Sequence, residues 1–183
     1  MSLLTKKFRA YKLSQEIIDI YRERLSNETI TGFIADFNTE FILLNCLTDE
    51  GENDGISLFY IDDITRIKAK GNIRQSLKDL SQHKNTKFKS YKINLKSIDS
   101  ILKSIQESFT YVNLFTEDLD DQVCFIGSIK DEDTDWIILD SFGTMTSRDI
   151  TQLILKKGEI SRIDAGGKYE DSINYLAKLN KKN

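Results

Sequence analysis

The 183-residue chain contains no proline, one histidine and two cysteines. Without proline, asparagine, aspartate and glycine must form its turns. General acid–base catalysis most often uses histidine or a pair of carboxylates, but the single histidine, His83, lies in a polar stretch and the carboxylates cluster in turns. The sequence also has no phosphate-cradling glycine loop and no nucleophile elbow. We therefore expect a protein that is not an enzyme and that holds no cofactor or metal ion.

The two cysteines, Cys46 and Cys124, form no CxxC pattern. A disulfide between them stays open at this point, but free buried thiols in a reducing cytoplasm are the favoured interpretation. No stretch approaches the roughly 20 apolar residues of a membrane-spanning helix. Residues 1–13 lack the apolar core and the small-residue cleavage site of a signal peptide. We expect a cytoplasmic protein with no membrane segment.

Two parts of the chain resemble each other at a spacing of about 95 residues. Residues 32–44 correspond to 127–139, and the sequence Ile-Thr-Arg-Ile at 64–67 returns as Ile-Ser-Arg-Ile at 160–163. Solenoid repeats are about 20–50 residues long, so this longer repeat indicates a duplicated domain. A lone unit of roughly 65–70 residues buries only about 60% of its unfolded surface. We therefore expect the units to pack on each other or on a partner.

The repeat decides between two interpretations of the N-terminal region. Residues 14–25 alone have the pattern of an amphipathic helix, but 20–25 corresponds to 114–119, within a segment rich in aromatic and β-branched residues. Such residues are typical of strands. We predict a strand over 16–24, with a helix over 14–25 as the alternative. The other strands are predicted at 29–37, 41–47, 56–61 and 64–68, and in the second copy at 123–131, 136–142, 150–156 and 160–164.

Three helices are predicted from apolar residues at helical spacing. Each copy ends in one, over 72–82 and 169–179. A third is predicted over 95–108, between the copies. Trp136, which stands at the position of Phe41, is expected in the core.

Five short consecutive strands with tight turns favour a small, bent antiparallel barrel. The predicted fold is mainly β with minor α: two tandem five-stranded barrels, each followed by a short helix and joined by a helical linker. The predicted domains are residues 1–82, which include a basic N-terminal segment, and residues 109–183, with a basic, helical linker over 83–108.

A glycine in the second strand, Gly32 or Gly127, and a tight turn before the fifth strand resemble an Sm-like barrel. The Gly-x-Ile-x-Asp strand and the Asp-Ile-x-x-Ile ending resemble a group of uncharacterised bacterial proteins with that plan. The resemblance covers most of both units and implies the fold far more than an activity, because folds of this kind host many functions.

The residues by which Sm proteins bind RNA are mostly absent. The base-contacting asparagine, about ten residues after the glycine, is replaced by Ile42 and Ile137. The arginine-glycine pair before the last strand appears only as Lys157-Gly158, and Asp62-Asp63 in the first copy would repel phosphate. These differences argue against RNA binding at the sites that Sm proteins use.

Charge is unevenly distributed along the chain. Residues 110–176 hold six Lys/Arg against fourteen Asp/Glu, whereas residues 1–13 have four basic residues and no acid, and 80–109 have six lysines against two acids. Basic residues interleaved with aromatic ones can grip single-stranded nucleic acid by stacking. The favoured interpretation is instead that these segments are strands or docking segments on the acidic barrels. The candidate contacts for nucleic acid or an acidic partner are Lys7, Phe8, Arg9, Tyr11, Lys87, Phe88, Lys89 and Tyr91.

Two further polar features have a structural and a functional interpretation. The run from Asp131 to Asp135 begins like a calcium loop but lacks its glycine and its final glutamate, which favours a solvated acidic turn. Arg66 and Arg162 recur within apolar strands. Alternation places them on an outer face, which we favour, while a matched pair for a carboxylate or phosphate is the alternative.

A duplication without a duplicated site suited to chemistry favours a non-catalytic protein-interaction or assembly module. Open barrel edges pair readily with other strands, so we expect a protein partner or self-association through barrel edges. The alternatives are RNA or single-stranded nucleic-acid binding through the basic aromatic segments, and small-molecule binding or hydrolysis in a cleft between the barrels. Recognition is expected where the copies differ, in loops 48–55 and 143–149 and in the basic linker.

Overall fold

The computed structural model describes residues 2–180, and the chain divides into two compact units, residues 1–90 and 91–183. The strand predicted over 16–24 is present but shorter, at residues 17–21, and the helix alternative over 14–25 is wrong. Residues 7–12 are helical rather than extended. The elements of the first unit are α1 (Leu3–Ser14), β1 (Ile17–Tyr21), β2 (Thr29–Phe37), β3 (Phe41–Leu47), β4 (Asn53–Tyr60), a 3-10 turn (Ile61–Asp63), β5 (Arg66–Ala69) and α2 (Asn72–His83).

The second unit begins with the helix predicted over 95–108, which is confirmed and starts slightly later. Ser97 caps it, because its hydroxyl accepts a hydrogen bond from the backbone N–H of Ser100, satisfying a donor that the first turn leaves unpaired. The elements are α3 (Ile98–Phe109), β6 (Val112–Phe115), β7 (Cys124–Glu132), β8 (Trp136–Phe142), β9 (Ile150–Lys156), a 3-10 turn (Lys157–Glu159), β10 (Arg162–Ala165) and α4 (Lys168–Asn180).

The prediction of two five-stranded barrels is wrong. The strands of each unit are antiparallel and open, in the order β5-β1-β2-β3-β4 in the first unit and β10-β6-β7-β8-β9 in the second. Within residues 2–180, β5 does not pair with β4, and β10 does not pair with β9. Strand number and turn length indicate which strands are neighbours. Closure depends in addition on strand tilt and stagger, which the sequence pattern does not encode.

Each run of five strands has the same glycine and the same irregularity. Gly32 on β2 lies against the carbonyl oxygen of Asn45, and Gly127 on β7 lies against that of Asp140, so a Cβ at either glycine would collide with backbone. The pairing register then shifts two to four residues later, between Ile34 and Asp36 in the first unit and between residues 129 and 131 in the second. Such bulges bend and twist a strand. Both units therefore have this irregularity at the same position of the corresponding strand.

A buried apolar face stabilises the sheet of the first unit. Phe8 of α1 is 1% exposed and packs into this core, which also explains why α1 lies on the sheet. The other buried members are Ile18, Ile20, Ile30, Ile34, Ile42, Leu44 and Phe59. In the second unit, α3 buries Ile101, Leu102 and Ile105.

Candidate interaction surface

The basic aromatic segment at the N-terminus lies on α1. Phe8 is buried and meets Phe37 edge to face, with 5.5 Å between ring centroids. Tyr11 is half-buried, while Lys7 and Arg9 are exposed. The ring that would stack on a base is therefore part of the core, and only the charges face solvent.

The second basic aromatic segment has no regular secondary structure, unlike the first. Phe88 packs edge to face on Phe33 at 5.3 Å, and Tyr91 lies 4.3 Å from Phe109, centroid to centroid. Residues 7–12 and 87–92 thus share composition but not conformation. Their aromatic rings contact other rings of the protein, and the lysines at 87 and 89 are exposed.

Arg66, the repeated arginine of the first unit, is bound to the chain's own glutamate. Its Nη2 lies 2.5 Å from Oε1 of Glu23, and its guanidinium stacks 4.1 Å from the centroid of Tyr21. The Thr65 hydroxyl lies 3.0 Å from Oε2 of Glu23 and accepts a hydrogen bond from the Glu23 backbone N–H at 3.2 Å. Both charged side chains are about half exposed, at 49% and 45%.

Arg162 repeats this arrangement in the second unit. It lies 3.6 Å from Oε1 of Glu117 and 3.6 Å from the centroid of Phe115. The Ser161 hydroxyl donates to Oε2 of Glu117 at 2.8 Å and accepts from the Glu117 backbone N–H at 3.1 Å. Here the arginine and glutamate side chains are 3% and 1% exposed. The Nε of Arg162 is also 3.3 Å from Oδ2 of Asp164. The carboxylates that the two arginines bind are therefore intramolecular, and neither arginine is arranged to recognise an added anion.

The acidic turn between β7 and β8 binds the ammonium group of Lys157. Lys157 is 4% exposed, and its Nζ lies 2.6 Å from Asp99, 2.7 Å from Glu132 and 2.6 Å from the carbonyl oxygen of Asp133. Burial alone would lower the pKa of Lys157, but hydrogen bonds and attraction to the two carboxylates raise it. Within residues 2–180, no group of three or more His, Cys, Asp or Glu side chains is arranged to hold a metal ion.

Asp133 itself caps the turn. Its Oδ1 accepts hydrogen bonds from the backbone N–H groups of Trp136 and Asp135, which lower its pKa. Asn38 makes the same two bonds in the first unit, to the N–H groups of residues 40 and 41. The matching geometry of an aspartate and an asparagine indicates a structural role at this position.

An apolar surface on β8 and β9 was not anticipated. Trp136 is 46% exposed and Ile154 is 59% exposed, so the expectation that Trp136 lies in the core is wrong. Ile138, half-buried, pairs directly opposite Ile154. These three residues line a shallow cavity of about 420 Å³, whose acidic rim is formed by Asp131, Glu132 and Asp133. We call this surface the Trp136 face.

The counterparts of the Trp136 face in the first unit are buried. Phe41 and Leu58 are each 1% exposed and Leu43 is 2% exposed, although they occupy the strand positions of Trp136, Ile154 and residue 138. In the sequence, this difference in burial is indicated only on the strand that pairs with β3 or β8. There β9 carries Gln152 and Lys156, whereas β4 carries Ile56 and Tyr60.

The Trp136 face lies beside a free sheet edge. β9 is the last strand in the order of the second unit and pairs only with β8, and β5 is the first in the order of the first unit and pairs only with β1, within residues 2–180. An edge strand presents unpaired backbone N–H and C=O groups that another strand can bind. Exposed apolar side chains and unpaired backbone groups therefore occur together at β9.

Comparison with known proteins leaves the chain unassigned: no protein-family model, curated protein or solved structure matches it. The resemblance to Sm-like proteins thus stays a prediction from sequence patterns. No helix within residues 2–180 is long and apolar enough to cross a membrane. Cys46 and Cys124 are half-buried and are not joined by a disulfide, and burial raises the pKa of the Cys124 thiol.

Proposed function

We propose that the chain is a non-catalytic assembly module that associates with a second copy of itself through the edge of β9 and the Trp136 face. The observation that carries this proposal is the exposure of Trp136 and Ile154 beside an edge strand, at positions whose counterparts are buried. Burying an aliphatic or aromatic side chain of this size contributes about 1.5–3 kcal/mol. Such a surface is costly to leave in water and favours association.

The choice of a second copy rests on complementary charge. The rim of the Trp136 face is acidic, whereas β5, an edge strand of the first unit, presents Lys68 to solvent. Pairing of β9 with β5 of another copy would join two unpaired edges and bring opposite charges together. Main-chain hydrogen bonds would supply affinity, and the flanking side chains would supply specificity.

Trp136 is the only tryptophan, so its fluorescence reports directly on this surface. We expect light scattering to show an increase in mass with protein concentration, together with a blue shift of tryptophan emission. Ile154→Ser should weaken this association. Ile73→Ser is the matched control, because Ile73 is 71% exposed but lies on α2, in the first unit.

A strict monomer over the whole concentration range would contradict self-association. Association that Ile154→Ser leaves unchanged would place the interface elsewhere. Association of the wild type only after addition of a different purified protein would replace the second copy by that protein as the occupant.

A further inference from the structure

A second cavity lies in the first unit, where the start of β1 meets the start of α2. Its volume is about 380 Å³, which falls within the range of small-molecule sites. Three basic side chains line it, Lys70, Arg74 and Lys78, against a single carboxylate, Glu16. We propose that this cavity binds a small anion that carries a phosphate group.

Arg74 is the fixed element of the cavity. Its Nη1 binds the carboxylate of Asp19 and its Nε donates to the carbonyl oxygen of Lys70, so the guanidinium is held on two sides, with the side chain only 14% exposed. Its Nη2 has no hydrogen-bond partner among residues 2–180. That nitrogen would lie 3.5 Å from a Cβ at position 71, where the chain has glycine with a φ of 86°. The missing side chain leaves Nη2 accessible.

The two lysines supply charge that the protein does not neutralise. Neither Lys70 nor Lys78 forms an ion pair within the part of the chain that the structure describes. Gln75 adds a side-chain amide, and the first turn of α2 contains no acidic residue. The Nη2 of a fixed arginine, flanked by two ammonium groups, is a suitable set of donors for phosphate oxygens.

At the corresponding place in the second unit, the side chains form hydrogen bonds with one another. Tyr111 donates its hydroxyl to Asp171 at 2.7 Å and accepts from the Gly166 backbone N–H at 2.9 Å, while Asn113 donates to Glu170 at 2.9 Å. By the repeat, Gly166 stands where the first unit has a lysine, and Glu170 where it has an arginine. In the second unit, which lacks the basic residues, side-chain hydrogen bonds occupy this region. In the first unit the corresponding region is a cavity with a basic lining.

The experiment titrates the full-length protein with inorganic phosphate at constant ionic strength, with chloride as the reference anion. Amide chemical shifts of residues 71–75 report binding at the cavity. The test variant is Lys70→Gly with Lys78→Asn. These substitutions introduce the residue types that the second unit has at the corresponding positions, 166 and 174. The control variant, Lys87→Gly with Lys89→Asn, removes the same charge from another exposed segment of the first unit.

We expect wild type and control to bind phosphate with saturable shifts at residues 71–75, and the test variant to bind at least about tenfold more weakly. Equal affinity in the test variant, equal losses in both variants, or absence of saturable shifts in wild type would each overturn the proposal. Adenosine monophosphate in a parallel titration distinguishes a phosphomonoester from free phosphate, since tighter binding of the ester would show that the cavity contacts more than the phosphate group.

Discussion

The two units have the same strand order and the same glycine and bulge in the second strand, yet they differ in which side chains they bury. In the first unit the face of β3 and β4 that carries Phe41, Leu43 and Leu58 is buried, and the arginine–glutamate pair is half exposed. In the second unit the corresponding face is exposed and the pair is buried. Backbone geometry is thus set by the residues that the units share, whereas exposure depends on what lies against each strand. Substitutions at matched positions test this contrast directly.

The largest effect is expected at the apolar face. Phe41→Ala should reduce the free energy of unfolding by about 3–5 kcal/mol, because it removes a fully buried aromatic side chain. Trp136→Ala, at the matched position, should change it by only about 0.5 kcal/mol, since that side chain is half exposed. Urea denaturation at low protein concentration measures both. Equal losses would contradict the assignment of the Trp136 face as a free surface.

The next effect is expected at the ion pairs. Glu117→Gln should cost about 2 kcal/mol, because it removes one of the two carboxylates that bind the buried Arg162 and leaves only Asp164, 3.3 Å from its Nε. Glu23→Gln, at the matched position, should cost less than about 1 kcal/mol, because Arg66 is half exposed and water can solvate it.

Salt dependence sharpens this second test. Added salt screens exposed pairs more than buried ones, so the small effect of Glu23→Gln should vanish at high salt while that of Glu117→Gln persists. Losses of equal size in the two variants would show that burial does not distinguish the pairs.

A third effect is expected at Lys157, which stands where the first unit has Ile61. Lys157→Ile should cost about 2 kcal/mol, since it removes hydrogen bonds to charged groups while Asp99 and Glu132 regain contact with water. The raised pKa of Lys157 means that its contribution is complete below the usual lysine pKa of about 10.4 and declines as pH rises through the higher folded value.

Urea denaturation at neutral pH and at about pH 11 checks this expectation. The stability difference between wild type and Lys157→Ile should shrink at the higher pH. Lys156→Ile is the control, because Lys156 is exposed and its one ion pair is long, with 4.0 Å between its Nζ and Oε1 of Glu159. A difference that is constant with pH would mean that packing, and not charge, is what Lys157 provides.

The repeat in the sequence was sufficient to place most strands. It correctly assigned β1, because the second copy has residues that favour a strand where the first resembles a helix. The basic, aromatic composition of residues 1–13 and 80–109 does not indicate helix α1, because the two segments share composition but not conformation. The helical spacing of Leu4, Phe8 and Tyr11, after Ser2 as an N-cap, would have indicated it.

Exposure was harder to predict than secondary structure. Trp136 and Phe41 are both large aromatic residues at one strand position, so their sequences predict the same burial. Their different exposure arises from tertiary contacts, which cannot be predicted from the local sequence around either residue. The cavity beside Arg74 could not be predicted for the same reason, because its lining comes from residues 16–17 and 70–78.

The smallest effect is expected at the capping residue of the acidic turn. Asp133→Asn should leave the melting temperature near neutral pH unchanged, because Asn38 makes the same two backbone hydrogen bonds in the first unit. The bonds from Trp136 and Asp135 lower the pKa of Asp133. Its contribution is therefore present above the usual aspartate pKa of about 3.9 and is lost as pH falls through the lower folded value.

Thermal melts between neutral pH and about pH 2 test this, with Asn38→Asp as the reciprocal variant. Asp133→Asn should reduce the acid-induced decrease in melting temperature, and Asn38→Asp should increase it. A loss of stability in Asp133→Asn already at neutral pH would show that the carboxylate charge itself is needed, with Lys157 as its nearest cation, whose Nζ binds the carbonyl oxygen of Asp133. An unchanged melting temperature at neutral pH would establish that an amide and a carboxylate are interchangeable there, as expected of a turn cap and not of a ligand site.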